Sequence, residues 1–471
     1  MKMYVGTEWV DKAKTIPVIN SYDGSTVDTV PMADADDIER ALATAVRGAG
    51  AMRRLTGYER YQILRKAADL MTQRAEDLAR TITLEEGKVI GEARFEVGRA
   101  TEIIALSAEE AKRLGSEVVP LDGAPGVVKK FGFTVRVPCG VVVAISPFNF
   151  PLHLVCHKVG PALAGGNSVI IKPATDTPLS ALKLTQIMLD AGVPAEAVQC
   201  LTGSGGEVGE ALCRDPRVRK ITFTGSRDVG ERICHIAGLK KVTMELGSNA
   251  PLIVMPDADL DKVATAVAAT GYSNAGQVCI SAQRILPLTP IYGDFLDALR
   301  PKVAALATGD PLDEKTKMGP MVRERDAVRV DEWVKEAVRG GAKLVTGGER
   351  RGAIYAPTVL ADVKPEMRVS KSELFGPAVA VTPVGTIDAA IAMANDTNYG
   401  LSAGIFTQNI DWAMKFVQEV ESGNLHINWG PQWRADLMPY GGLKESGFGK
   451  EGPKYAVQEM TELKMVVMHL S

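Results

Sequence analysis

Two hydrophobic periods divide this chain. From about residue 34 to 113, apolar side chains recur at helical spacing among Ala, Arg, Glu and Leu. This predicts a run of amphipathic helices, with Asp34 or Asp36 as the first cap and breaks at Gly57 and Gly87. The residues before it, 1 to 30, read as short strands and turns. After Gly126 the period becomes that of strands. Residues 127–138 alternate around Gly132, as an exposed hairpin would. The run 140–145 is continuously apolar, as a strand buried on both faces must be.

The same grammar then repeats, with strands over 168–171, 198–201, 220–223 and 241–246, each followed or preceded by a helical stretch. Strands alternating with helices predict a parallel sheet with right-handed crossovers, in which ligands bind beyond the carboxyl ends of the strands. Asn149, Lys172, Gly225, Ser226 and Glu245 fall at those ends. A second α/β unit is expected from Pro251 to about Gly423, with strands over 252–255, 283–288, 356–360, 377–384 and 403–406. The tail, 462–468, reads as a last strand with no partner nearby, so it is expected to join the hairpin arm of a neighbouring subunit.

Composition narrows the function. A chain of 471 residues exceeds what one hydrophobic core supports, which calls for two large domains. A net charge of −3, with no lysine or arginine tract, argues against nucleic acid or a membrane surface as partner, so any bound anion must be met locally. Residues 1–14 lack the apolar core of a secretory signal, and a cytoplasmic protein is the expectation. Six scattered cysteines without a C-x-x-C pair suggest reduced thiols and no metal site.

One thiol has context: Cys279, in Gly276-Gln277-Val278-Cys279-Ile280-Ser281, follows a glycine-containing turn. A free thiol has a pKa of about 8.5, so a nucleophilic role needs a charge, dipole or base nearby. The Asn149 amide at a strand end can donate to an oxyanion. Glu245, at the end of an apolar strand and before Gly247, can act as general base. A dinucleotide site is less clear. The G-x-G-x-x-G fingerprint is absent, but Gly225 follows a strand and Ser226 opens a helix whose N–H groups can receive a phosphate, with Lys172 placed to donate to a ribose hydroxyl.

Taken in order, Pro147-Phe148-Asn149-Phe150-Pro151, Lys172-Pro173-Ala174, Phe223-Thr224-Gly225-Ser226, Glu245-Leu246-Gly247, Gly276-Gln277-Val278-Cys279, Glu373-Leu374-Phe375-Gly376-Pro377 and Pro439-Tyr440-Gly441-Gly442-Leu443-Lys444-Glu445-Ser446-Gly447 resemble the motif series of the NAD(P)-dependent aldehyde dehydrogenase superfamily. The resemblance spans essentially the whole chain, and within that superfamily it points to the branch of lactaldehyde, non-phosphorylating glyceraldehyde-3-phosphate and phosphonoacetaldehyde dehydrogenases. It implies two parallel-sheet α/β domains with a small β oligomerisation arm: a cofactor domain over 1–116 and 135–246, a catalytic domain over 247–424, and an arm from 117–134 and 451–471. A homodimer or homotetramer follows.

The resemblance further implies that Cys279 attacks an aldehyde, that Asn149 holds the oxyanion, and that Glu245 activates water to hydrolyse the thioester. Ser146, Pro147, Phe148, Lys172, Thr175, Gly225, Ser226, Glu373 and Phe375 would line the NAD or NADP site. Thr175 stands where NAD-preferring relatives carry a glutamate, so NADP should be tolerated. Arg99, His153, His157 and Arg434 stand where the family's substrate tunnel is usually apolar. Four cationic or protonatable groups there imply an anionic or strongly polar tail on a short aldehyde. Lactaldehyde, glyceraldehyde-3-phosphate, phosphonoacetaldehyde, sulfolactaldehyde and succinate semialdehyde are the candidates. A CoA-acylating aldehyde dehydrogenase is the alternative, and a cysteine hydrolase a distant third.

Overall fold

A computed structural model describes residues 1–471. The helical stretch is four helices, Ala35–Arg54, Gly57–Gln73, Ala75–Glu86 and Ile90–Ala111. Asp34 caps the first, its side chain accepting from the N–H groups of Asp36 and Asp37. Gly87 ends the third in the left-handed conformation, as expected. Gly57 instead opens the second helix behind the Thr56 cap, and a further break falls at Arg74, where no glycine marks it.

The continuously apolar runs form the centre of the first sheet. Val141–Ile145 lies between Ser168–Lys172 and Val218–Thr224, and all three pair in parallel. Lys241–Glu245 and Val198–Cys200 extend the parallel set on either side. The buried helices His153–Ala164 and Leu179–Ala191 cover it. Its outer edges are antiparallel, with Met3–Val5 on Val198–Cys200 and Gly447–Phe448 on Lys241–Glu245. The second pairing returns the end of the chain to the first sheet.

A second sheet of seven strands is built on Pro251–Val254, Arg284–Pro287, Thr358–Ala361, Ala378–Val381 and Ser402–Phe406, at the places the apolar runs predict. Two strands that its pattern does not announce, Lys343–Thr346 and Asn424–Ile427, close its edges. Both are partly exposed, so they lack the continuous apolar run that marks a central strand.

The arm differs from the expectation. Lys130–Pro138 is one continuous strand, and Gly132 makes no turn. The missing side chain leaves room for Leu121 and Met465, which lie over it. The tail Thr461–His469 pairs antiparallel with Lys130–Pro138 of the same chain along its whole length, so the arm is completed within the chain. No helix is long and apolar enough to cross a membrane.

Candidate active site

The thiol loop leaves helix Leu260–Tyr272 through three successive left-handed residues, Asn274 (φ 50°), Ala275 (φ 53°) and Gly276 (φ 69°). Asparagine tolerates that region, but an alanine there costs about 1–2 kcal/mol, which the surrounding structure must offset. Gly276 is required for a second reason. A Cβ there would lie 2.2 Å from the carbonyl oxygen of Gly376, so the thiol loop rests directly on the Glu373–Pro377 segment.

Cys279 is partly exposed, and its Sγ lies 3.5 Å from the Tyr440 hydroxyl. Burial among neighbours pushes the thiol up to about 12. The Tyr440 hydrogen bond acts against that rise, and the nearby Glu245 and Glu373 add to it. No imidazole touches the sulfur, so a Cys–His dyad is not formed. Asn149 Nδ2 donates to the Gln277 carbonyl at 2.7 Å, two residues before the thiol, and its Oδ1 is buried without a partner.

Glu245 ends its strand fully buried, both carboxylate oxygens unpartnered. Burial, and then the neighbouring Glu451, hold its pKa well above the ordinary carboxylate value. Its Oε1 occupies the space a Gly441 side chain would need, which explains a glycine directly after Tyr440.

One cavity of about 850 Å³ contains every residue the motifs assign to the cofactor: Ser146, Pro147, Phe148, Lys172, Thr175, Gly225, Ser226, Glu373 and Phe375. Asn149 and Cys279 line the same cavity. The residue set suits a dinucleotide. Ser226 opens helix Arg227–Ala237 without using its side chain as a cap, so the first-turn N–H groups are free for a pyrophosphate. Lys172 Nζ donates only to the Pro173 carbonyl, and burial lowers it to about 8. Glu373 accepts from the Ser248 N–H at 2.8 Å, and burial raises it to about 7. Phe375 (φ 47°) sets its ring edge-on to Phe148, 5.9 Å between centroids. The motifs did not mark Arg323, which clamps Asp176 and stands over the Phe148 ring.

Arg99, His153, His157 and Arg434 lie outside that cavity, and they do come together, but around a carboxylate. Asp436 accepts from Arg99 Nη2 and, at 3.1 Å, from Arg99 Nε. The Nε2 atoms of His153 and His157 lie 3.0 and 3.3 Å from the same carboxylate. The sequence predicts four cationic or protonatable groups converging on the substrate tunnel; they converge instead on the Asp436 carboxylate. Burial depresses His153 to about 3 and His157 to about 4, so both are neutral, and Asp436 offsets Arg99.

Arg434 is paired as well, chiefly to a second carboxylate. It is buried, with Nη1 donating to Glu451 at 2.9 Å, Nη2 at 3.0 Å from His157 Nδ1, and Nε without a partner. Its guanidinium stacks on the Tyr440 ring at 4.0 Å, which places one aromatic side chain between it and Cys279. Lys158 completes the polar layer, donating to Thr224 at 2.7 Å and Glu451 at 3.1 Å. A lysine inside a wholly buried helix was the signal for it; Tyr440 lies in the Pro439–Gly447 motif, and Asp436 and Glu451 carried no signal.

Residues 9–466 match the model of the aldehyde dehydrogenase family. The chain is 49% identical over 468 residues to 3-sulfolactaldehyde dehydrogenase of Priestia aryabhattai, covering 99% of this chain and 98% of that one. Aldehyde dehydrogenase 21 of Physcomitrella patens, solved with the reaction product succinate, superposes with a TM-score of 0.97 at 39% identity over 99% of this chain and 98% of the other. NADP-dependent glyceraldehyde-3-phosphate dehydrogenase of Bacillus halodurans, complexed with NADP, superposes with a TM-score of 0.98 at 34% identity over 100% and 99%.

Proposed function

The chain belongs to the aldehyde dehydrogenase family, and on that premise we propose that it oxidises a short aldehyde with an anionic tail to the free carboxylic acid, with 3-sulfolactaldehyde as first candidate. The observation that carries the chemistry is the single cavity running from the helix start at Ser226 to the thiol of Cys279.

Cys279 gives up its proton to water, its Sγ adds to the aldehyde carbon, and the resulting oxyanion lies between the Asn149 amide and the Cys279 backbone N–H. NAD(P)+ supplies the hydride acceptor. Loss of hydride from the thiohemiacetal carbon leaves a thioester on Cys279. Glu245 then takes a proton from water, the hydroxide adds to the thioester carbon, and the carbon–sulfur bond breaks to release the acid and restore the thiol. Because Glu245 carries no internal hydrogen bond, its carboxylate is free to meet that water.

The tail is assigned to Arg434. Both arginines are ion-paired, Arg99 to Asp436 in a two-point contact and Arg434 to Glu451 at 2.9 Å and to Asp436 at 3.8 Å, but Arg434 keeps an Nε without a hydrogen-bond partner. A charge-assisted hydrogen bond to a sulfonate, phosphonate or carboxylate there would hold the aldehyde carbon one aromatic ring away, at the sulfur, which favours a short chain. For the cofactor, Thr175 leaves no carboxylate to repel a 2′-phosphate, and both NAD and NADP are accepted. The arm formed by Lys130–Pro138 and Thr461–His469 exposes Phe131, Leu463, Met465, Val467 and Met468, which a three-stranded ribbon cannot bury alone, and it joins subunits into a dimer or tetramer.

The test is nicotinamide reduction with NAD or NADP against 3-sulfolactaldehyde, phosphonoacetaldehyde, glyceraldehyde-3-phosphate, succinate semialdehyde, lactaldehyde and propanal, with and without CoA. The proposal predicts CoA-independent release of free acid and a preference for the charged aldehydes over propanal. Obligatory CoA, or propanal as the best substrate, would overturn it.

A further inference from the structure

Lys88 and Glu96 take no part in the chemistry above, yet both side chains are 1% exposed and their polar atoms are spent on the loop that carries Asn149. Lys88 Nζ donates to the Asn149 carbonyl at 2.6 Å and to Glu96 Oε2, and it stands 3.9 Å over the Phe150 ring. The other oxygen of Glu96 accepts from the backbone N–H groups of Leu152 and His153 at 3.0 and 3.1 Å, at the start of helix His153–Ala164.

The same segment reaches the thiol loop. Asn274 Nδ2 donates to the Asn149 carbonyl at 3.2 Å and to Glu86 Oε1 at 2.8 Å, while its backbone N–H donates to Glu92 at 3.0 Å. Residues 86–96 thus grip both partners of the reaction centre. Asn149 is held through its carbonyl by Lys88 and through its amide by Gln277; the Cys279 loop is held in its left-handed conformation through Asn274.

Stability alone does not explain this arrangement. Buried ion pairs are often matched or bettered by apolar residues of the same volume, and these charges are spent on the backbone of one short segment, residues 149–153. The geometry points to Lys88 and Glu96 as positioning residues that orient Asn149 as an oxyanion donor towards Cys279, with Glu86 and Glu92 fixing the thiol loop through Asn274. This rests on the role proposed for Asn149.

The experiment is a double-mutant cycle read by the burst rate of nicotinamide reduction at saturating aldehyde and cofactor, with iodoacetamide alkylation of Cys279 and thermal unfolding alongside. The variants are Lys88→Met, Glu96→Gln, the two combined, Asn149→Ala, and Asn149→Ala with Lys88→Met. Lys88→Met alone strands a buried carboxylate, so the combined Lys88→Met/Glu96→Gln chain, uncharged at both positions, carries the test should the single variant not fold.

Asn149→Ala should slow the burst by about 10²–10³-fold and Lys88→Met/Glu96→Gln by about 10²-fold, with alkylation within about 2-fold of the parent. In the Asn149→Ala background, Lys88→Met should cost less than about 3-fold, because it acts through the missing amide. The inference is overturned if the Lys88 variants keep the burst rate within about 3-fold, or if Lys88→Met costs as much without Asn149 as with it. A harmless Asn149→Ala would instead remove the role of Asn149 beneath it.

Discussion

Burial raises the Cys279 thiol to about 12 and shifts the Glu245 carboxyl upward, so both are biased towards their protonated forms. Both must lose a proton to work, so the rate should rise with pH through the neutral range. A kcat–pH profile measured with cofactor saturating should climb from pH 6 to 9; a rate that falls over that range would contradict the assignment. The histidines carry the opposite sign. With His153 depressed to about 3 and His157 to about 4, neither changes charge between pH 6 and 8, and KM for an anionic aldehyde should be flat there. A KM that rises through pH 6–7 would show that imidazolium binds the tail. Arg434→Met should lower kcat/KM about 100-fold for the anionic aldehyde and less than about 10-fold for propanal, as expected for loss of one desolvated charge-assisted contact. Arg99→Met should cost less, since Asp436 already occupies Arg99.

At the scale of elements, the sheets were legible because a strand buried on both faces has to be apolar throughout, as 141–145 and 252–254 are. Several of the candidate catalytic and cofactor residues could be picked out because short local motifs place them at strand ends, Lys172 and Glu245 among them. The arm was misread because Gly132, inside a strand, looks the same in sequence as a glycine in a turn; only the packing of Leu121 and Met465 tells them apart. The Asp436 cluster was hidden for another reason. Its ion pair joins Arg99 to a residue 337 positions away, and no local pattern encodes such a contact. Glu96 did leave a trace, as a carboxylate on the buried stripe of helix Ile90–Ala111 between Ala93 and Ala100. For the arm, removing residues 461–471 uncovers the whole inner edge of Lys130–Pro138. Sedimentation should show the full chain as a dimer or tetramer and the shortened chain as a monomer or aggregate. A monomeric full chain would contradict the assembly proposed for the arm.

Across the whole molecule, the first sheet contributes Asn149, Glu245 and one side of the cofactor cavity, Glu373 and Phe375 of the second unit line its other side, and the thiol comes from the segment between strands Pro251–Val254 and Arg284–Pro287 of the second. Close backbone contacts hold the parts in place: Gly276 sets the thiol loop on Gly376 within the second unit, and Gly441 packs over Glu245 of the first sheet. Strand Gly447–Phe448 then brings Tyr440 and Glu451 back beside the first sheet. The division of labour predicts that the acyl group is made at Cys279 and released only with help from Glu245. The direct measurement is intact-protein and peptide mass spectrometry of the Glu245→Gln chain, quenched after mixing with NADP and 3-sulfolactaldehyde. One acyl group should accumulate on the Cys279 peptide, with one nicotinamide reduced per chain and little turnover afterwards. No adduct, an adduct on another residue, or turnover at the parent rate would contradict the account.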